Sequence, residues 1–383
     1  MSVPVNSSLE SIVLVIPVLC GGGAERCISN MANWWAAQGV RVFLITFRKD
    51  VQAYKLDSRI EWLGLDQFHS TTVSETEWFE ENYNIACLRK AFEYCLNSTK
   101  VRPLPLISFL ARMNLRTILA VRGLPYSVVV SERTYPPMNP FPQKEESLRL
   151  ELYKQAHKVI VQTNLARDLW GDKVVPKAKL GVIPNSVSDE FCLAEIGDCC
   201  GDKVFEFGFS RFIVTAGRLE PEKQFDRFID VFSLLAPEYP ELRGLIIGGG
   251  SLRQELHERV KSAGLSDRLH MFGALKSFAN ILRLADLFVL TSKFEGFPNV
   301  LLESMACGCP VVSYNCLAGP SEIIRNGVDG ILVSPDDEDF LFSSIKTLLD
   351  DEVLRLSMGK AAKDVCRRFN RDDIMLKWES LFL

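Results

Sequence analysis

Short runs of Val, Ile, Leu and Phe alternate along this chain with longer stretches whose apolar residues recur every three or four positions. The first pattern reads as buried strand, the second as a helix packed on it, and their alternation predicts βα units around a parallel sheet. In the first half the expected strands are residues 12–18, 41–47, 104–109, 126–130 and 158–162, with a helix over 24–38. The nearly unbroken apolar run "IVLVIPV" suits a strand covered on both faces. After "VIPNSV" the texture changes. Residues 189–210 are acidic, hold Gly197, Gly201 and Gly208, and show no period, as a linker would. A second series follows, with strands expected at 212–216, 245–247, 269–272, 287–290, 311–313 and 331–333.

The pattern therefore predicts an α/β protein of two doubly wound halves facing across a cleft. The expected organisation is a domain over 1–188, a linker over 189–210, a second domain over 211–365 and a closing segment over 366–383. Ligands of such sheets bind beyond the carboxyl ends of the strands, so chemistry is sought in the strand-to-helix loops.

Four loops stand out. "VLCGGGAER" (18–26) and "IIGGGSLRQELHERV" (246–260) each put three glycines before a helix. Such a turn lets the backbone approach a phosphate at a helix N-terminus, although a plain tight turn fits equally. In "VTAGRLEPEKQFD" (214–226), Gly217 follows a strand and Arg218 and Lys223 flank Pro221, which suits a first helical turn. Two cations there oppose the helix dipole unless an anion sits between them. In "FEGFPNVLLESMACGCPVV" (294–312), Pro298 suits a helix start and Gly308 its end, leaving Glu295 in the loop and Glu303 on the helix. Buried carboxylates need partners, and sugar or ribose hydroxyls are suitable ones. The alternative is that both glutamates pair with arginines or cap backbone groups.

Composition removes several function classes. At 383 residues and 47% hydrophobic, the chain can bury two cores. A net charge of −4 and a pI near 5.8 give no support for nucleic acid as a partner. Eleven scattered cysteines, without a CxxC pair, suggest neither a disulfide framework nor a zinc site, and fit a reducing cytoplasm. The start "MSVPVNSSLE" lacks the features of a signal peptide, and no apolar run reaches the ~20 residues of a membrane helix. The expectation is a soluble protein that at most lies on a membrane.

Taken in order, "GGGAER", "GRLEPEKQFD", "EGFPNVLLE" and "GPSEIIRNGVDGILV" resemble retaining glycosyltransferase family 4, the third matching its E-x7-E signature. The resemblance implies the GT-B fold, two Rossmann-like domains with the nucleotide-sugar donor held chiefly by the second. It implies that Arg218 and Lys223 bind the donor diphosphate and stabilise the leaving group, that Glu295 faces the transferred sugar, and that Glu303 holds the ribose. Gly296, Phe297, Pro298, Asn299 and Val300 would contribute at the helix start, and Gly217, Gly249, Phe272 and Gly273 would line the nucleotide. Gly22 and Gly23 would approach the phosphates from the first domain, and the last helix would cross back to that domain. The resemblance also implies no cofactor and no bound metal.

One departure concerns the loop after "YSVVV". Many family members carry a histidine there, whereas this chain reads "SERTYPP" and its four histidines lie elsewhere. Ser131, Glu132 and Arg133 resemble a subgroup building bacterial surface or lipid-linked glycans, which implies that Arg133 contacts donor or acceptor; a salt bridge between neighbours is the alternative. From Arg89 to Arg133 there are eight basic residues against two acidic ones. Within that stretch, Arg112 and Arg116 share a helix face suited to an anionic membrane surface or a polyprenyl-diphosphate acceptor. The expected activity is transfer of a hexose or N-acetylhexosamine, from a UDP-sugar on subgroup resemblance, to a lipid-linked or other glycan on the inner face of the cytoplasmic membrane. A soluble acceptor, a nucleotide-sugar epimerase and a non-catalytic sugar-nucleotide-binding protein are the alternatives.

Overall fold

The computed structural model describes residues 7–49, 52–68, 77–138, 140–192, 210–275 and 277–383. The chain divides into two compact units, one of Met1–Asn185 with Asp372–Leu383 and one of Ser186–Arg371.

In the first unit, strands Ser11–Val15 (β1), Arg41–Thr46 (β2), Glu61–Gly64 (β3), Leu104–Phe109 (β4), Tyr126–Ser131 (β5), Lys158–Val161 (β6) and Leu180–Val182 (β7) form one parallel sheet. Their order is β3-β2-β1-β4-β5-β6-β7. Every residue of β1 and β4 is buried, as expected of strands covered by helices on both faces. The helix Gly23–Ala37 packs Ile28, Met31, Ala32 and Trp35 onto that sheet. The last residues of the chain complete the same core. Trp34 and Trp35 donate their indole N–H groups to Asp372 (2.8 Å) and Glu379 (3.0 Å), and the Trp378 ring lies 6.0 Å from that of Phe109. Each buried ring of this kind contributes about 1.5–3 kcal/mol through the apolar surface it removes from water.

In the second unit, Arg211–Ala216 (β8), Leu242–Ile247 (β9), Leu269–Phe272 (β10), Leu287–Leu290 (β11), Val311–Tyr314 (β12) and Ile331–Val333 (β13) form a second parallel sheet, ordered β10-β9-β8-β11-β12-β13. Side chains alternate across β8, with Phe212 and Val214 entering one core and Ile213 the other. In each sheet one strand, β1 or β8, has neighbours on both sides that the chain reaches in opposite directions. The loops after these strands, Gly21–Gly23 and Gly217–Lys223, therefore sit at the switch points where open α/β sheets bind ligands.

Three sequence expectations change. β3 and β7 were not anticipated; both are short edge strands. Arg218 and Lys223 do not lie in the first turn of an α-helix: Pro221–Lys223 is a separate 3-10 turn, and Gln224, with φ of +47°, breaks the chain direction before the helix Phe225–Leu235. The inference against disulfides is also corrected, because Cys192 and Cys366 are bonded, with Cα atoms 6.0 Å apart and a sequence separation of 174. That bond ties the start of the second unit to its end, beside a hydrogen bond from Val187 N–H to the Phe369 carbonyl (3.0 Å). Of the linker region, residues 189–192 are helical and 193–209 lie outside the described residues.

Candidate functional site

Four loops of the second unit are stitched together at the carboxyl ends of its strands. Gly217 N–H donates to the Ile247 carbonyl (2.9 Å), Leu219 N–H to Gly249 (2.9 Å) and Gly248 N–H to Phe272 (3.1 Å). Lys293 N–H donates to the Glu222 carbonyl (2.8 Å), and the Thr291 hydroxyl to that of Gln224 (2.9 Å). These bonds bring Gly217, Arg218, Lys223, Gly249, Phe272, Gly273 and Glu295 into one neighbourhood. At the centre, Lys223 Nζ donates to Glu295 Oε1 at 2.6 Å, with the two side chains 17% and 8% exposed. Ser292 Oγ donates to the same oxygen (2.7 Å). Burial on this scale makes the pair costly to break, because removing either partner would leave an uncompensated charge out of water.

The glycines of this site divide by cause. A Cβ at Gly248 would lie 1.8 Å from the Gly217 carbonyl oxygen, and one at Gly250 within 2.7 Å of the Leu219 backbone, so both are glycine because two backbones touch. A Cβ at Gly249 would meet nothing within 4 Å. The space over Gly249 is open, so packing does not require glycine there.

Arg218 is two-thirds exposed and reaches Glu222 (3.0 Å), a contact worth about 1 kcal/mol or less in water. Glu303 is buried on the helix Asn299–Ala306, which Pro298 caps and Gly308 ends with φ of +79°. Gly296, Phe297 and Pro298 form the approach to that helix, with Phe297 against the Phe369 ring (5.5 Å) and Val300 on the core. A Cβ at Gly319 would come within 2.5 Å of Pro298. Gly319, the first residue of "GPSEIIRNGVDGILV" but given no role there, thus shapes the loop before the helix.

In the first unit, Gly22 and Gly23 open the helix Gly23–Ala37. The N–H groups of Gly21 (2.6 Å) and Gly22 (2.5 Å) already donate to Glu25, the glutamate half of a capping box, which Gly22 has no side chain to complete. Arg133 follows β5 and is 7% exposed. It does not pair with Glu132. That carboxylate turns to Tyr153 (2.5 Å) and Arg149 (3.5 Å), and burial pushes its pKa above the ordinary carboxylate range while Arg149 opposes the shift. Asn185 and Gln162, which meet Arg133, carried no sequence signal of their own. Arg112 reaches Glu145 (3.4 Å) and lies over the Phe141 ring (5.8 Å), and Arg116 lies over Phe47 (5.4 Å). Among the described residues, no helix is long and apolar enough to cross a membrane.

Comparison with known proteins accounts for most of the chain. A family model described as "Glycosyl transferases group 1" matches residues 203–365, and one described as "Glycosyltransferase Family 4" matches 21–191. An exopolysaccharide phosphotransferase of Streptomyces coelicolor is 35% identical over 56% of this chain, which spans 22% of that protein's length. An enzyme of Campylobacter jejuni is 28% identical across 97% of this chain and 98% of its own. It is named as an alpha-1,4-N-acetyl-D-galactosaminyltransferase acting on GalNAc-alpha-(1->4)-GalNAc-alpha-(1->3)-diNAcBac-PP-undecaprenol. Among solved structures, Anabaena HepE in complex with UDP and glucose superposes with a TM-score of 0.80 at 19% identity, covering 97% of this chain and 98% of that one. That last likeness is one of fold.

Proposed function

The chain belongs to the family 4 glycosyltransferases, with the GT-B fold, and from that premise we propose that it moves a hexose or N-acetylhexosamine from a UDP-sugar to a polyprenyl-diphosphate-linked glycan, with retention of anomeric configuration. The acceptor class is supported by the lipid-linked substrate in the name of the Campylobacter jejuni relative, and the donor by the UDP and glucose held by HepE. The observation that carries the reading is the buried Lys223–Glu295 pair beside an exposed Arg218. Breaking the bond between an anomeric carbon and a diphosphate develops negative charge on phosphate oxygens. Fixed cations aimed there stabilise the transition state more than the ground state.

In this reading Arg218 and Lys223 hold the diphosphate, and Glu295, tethered by Lys223 and Ser292, faces the sugar hydroxyls. Glu303 grips the ribose. Gly249, Phe272 and Gly273 line the nucleotide, Gly296 to Val300 supply backbone groups, and Gly22, Gly23 and Arg133 serve from the first unit. The work is done at the inner face of the cytoplasmic membrane, where such acceptors reside.

The test is a sugar-release and transfer assay with a panel of UDP- and GDP-sugars and polyprenyl-diphosphate-linked acceptors, with product anomers read by NMR. Arg218→Ala is expected to lower kcat/KM by about 10²–10³. Unaltered transfer by Arg218→Ala, Lys223→Ala and Glu295→Ala alike would overturn the site, and an inverted product would overturn retention.

A further inference from the structure

Arg133 is a buried cation whose contacts, among the described residues, are all with neutral groups. Its Nη2 donates to Asn185 Oδ1, its Nη1 lies 3.5 Å from Ser131 Oγ, and its guanidinium stacks 4.3 Å over the Phe109 ring. Gln162, with its amide turned to satisfy both ends, donates to the Arg133 carbonyl (2.9 Å) and accepts from Nη2 (3.3 Å). The Cys27 thiol is the remaining contact, and burial pushes its pKa up, so it stays uncharged. Nε is buried without an acceptor. Among the described residues no carboxylate forms an ion pair with Arg133, since Glu132 beside it is committed to Arg149 and Tyr153.

A guanidinium taken out of water without a counter-charge destabilises the fold, and desolvation lowers the pKa of Arg133 accordingly. Neutral side chains from the ends of β4, β5, β6 and β7 nonetheless hold it in a single orientation. Residues fixed at a cost to stability concentrate where a ligand completes them. The other anion-binding feature of this unit, the glycine loop, already has the Gly21 and Gly22 N–H groups on Glu25.

We infer that Arg133 receives an oxyanion of the acceptor, the diphosphate that joins glycan to lipid. This rests on the proposed transferase function, in which the donor is held chiefly by the second unit and the first is left to the acceptor. A planar guanidinium matches a diphosphate through paired hydrogen bonds, and one with an idle Nε–H has a donor to give.

The experiment measures binding of geranyl diphosphate and of geraniol by calorimetry, in an Arg218→Ala background that weakens the donor-side diphosphate site. Arg133→Gln is expected to bind geranyl diphosphate at least tenfold more weakly, with geraniol unaffected, and without loss of thermal stability. If Arg133→Gln fails to fold, Asn185→Asp decides: a carboxylate supplied beside the guanidinium competes with the ligand and weakens diphosphate binding by a similar factor. Unchanged diphosphate affinity in the variant that folds, or an equal loss for geraniol, overturns the inference. Absence of transfer with every donor and acceptor, while diphosphate binding still depends on Arg133, instead sinks the transferase reading and leaves this one standing.

Discussion

Lys223→Ala separates a buried, obligatory ion pair from an incidental one. At 2.6 Å and an effective dielectric of about 20, the two charges attract by about 6 kcal/mol before desolvation is subtracted. Removing the ammonium leaves Glu295, 8% exposed, with Ser292 as its remaining side-chain donor. Deleting one partner of a buried pair costs about 3–5 kcal/mol, and the Ser292 bond, worth about 1.5 kcal/mol to a charged group, places this case near 3. For a unit of this size that is a fall of roughly 6–12 °C in Tm. Because two units rarely unfold as one transition, the loss is read by hydrogen exchange of β8 and β11 amides together with thermal scans. Lys223→Ala/Glu295→Gln should recover most of the loss, giving a coupling of about 2 kcal/mol in a double-mutant cycle. A loss below about 1 kcal/mol, or strict additivity, would show that the pair does not hold the two loops together, and the mechanistic weight placed on it would go.

Two further outcomes follow from backbone and sulfur. Gly248→Ala should destabilise by about 3 kcal/mol or more, because its Cβ would meet the Gly217 oxygen at 1.8 Å, whereas Gly249→Ala should leave thermal stability within about 0.5 kcal/mol and raise the KM for the donor. Equal stability of the two variants in thermal scans would contradict the packing described. Reducing Cys192–Cys366 should lower the Tm of the second unit, since cross-links closing a loop this long contribute up to about 5 kcal/mol in the chain-entropy account. Identical scans with and without dithiothreitol, alongside a thiol count showing reduction, would remove that contribution.

Most strands that sequence reading found are buried on both faces, where nearly every position is apolar, although the partly covered edge strands β10 and β13 were found as well. β1, with "SIVLV" wholly buried, could hardly be read otherwise. β3 and β7 escaped because "EWLG" and "LGV" break their apolar run with Glu or Gly, whereas the equally short edge strands β10 and β13 read "LHMF" and "ILV". The start of β9 was lost where Arg243 and Gly244 interrupt the apolar run, although a Gly244 Cβ would press on Phe232 at 3.1 Å. Pro221 gave a true signal for a turn beginning and a false one for an α-helix, since the left-handed Gln224 that divides the two carries no mark in its side-chain type.

The site was legible to the extent that its chemistry is local. Glycine runs and a Pro before an apolar helix are constraints of neighbouring backbone, and they point to the right loops. Pairings across the sequence are another matter. Lys223 meets Glu295 over 72 residues and Arg133 meets Asn185 over 52, contacts that exist because parallel strands bring their carboxyl ends together, and Cys192 meets Cys366 over 174 where two short helices at the start and end of the second unit come together. The surroundings of Glu132 show the consequence: successive residues leaving a strand point to opposite sides, so the carboxylate turns to Arg149 and the guanidinium of Arg133 to Asn185. That alternation separates the Glu132 carboxylate from Arg133, which makes no ion pair among the described residues, and this is the geometry on which the proposed oxyanion contact rests.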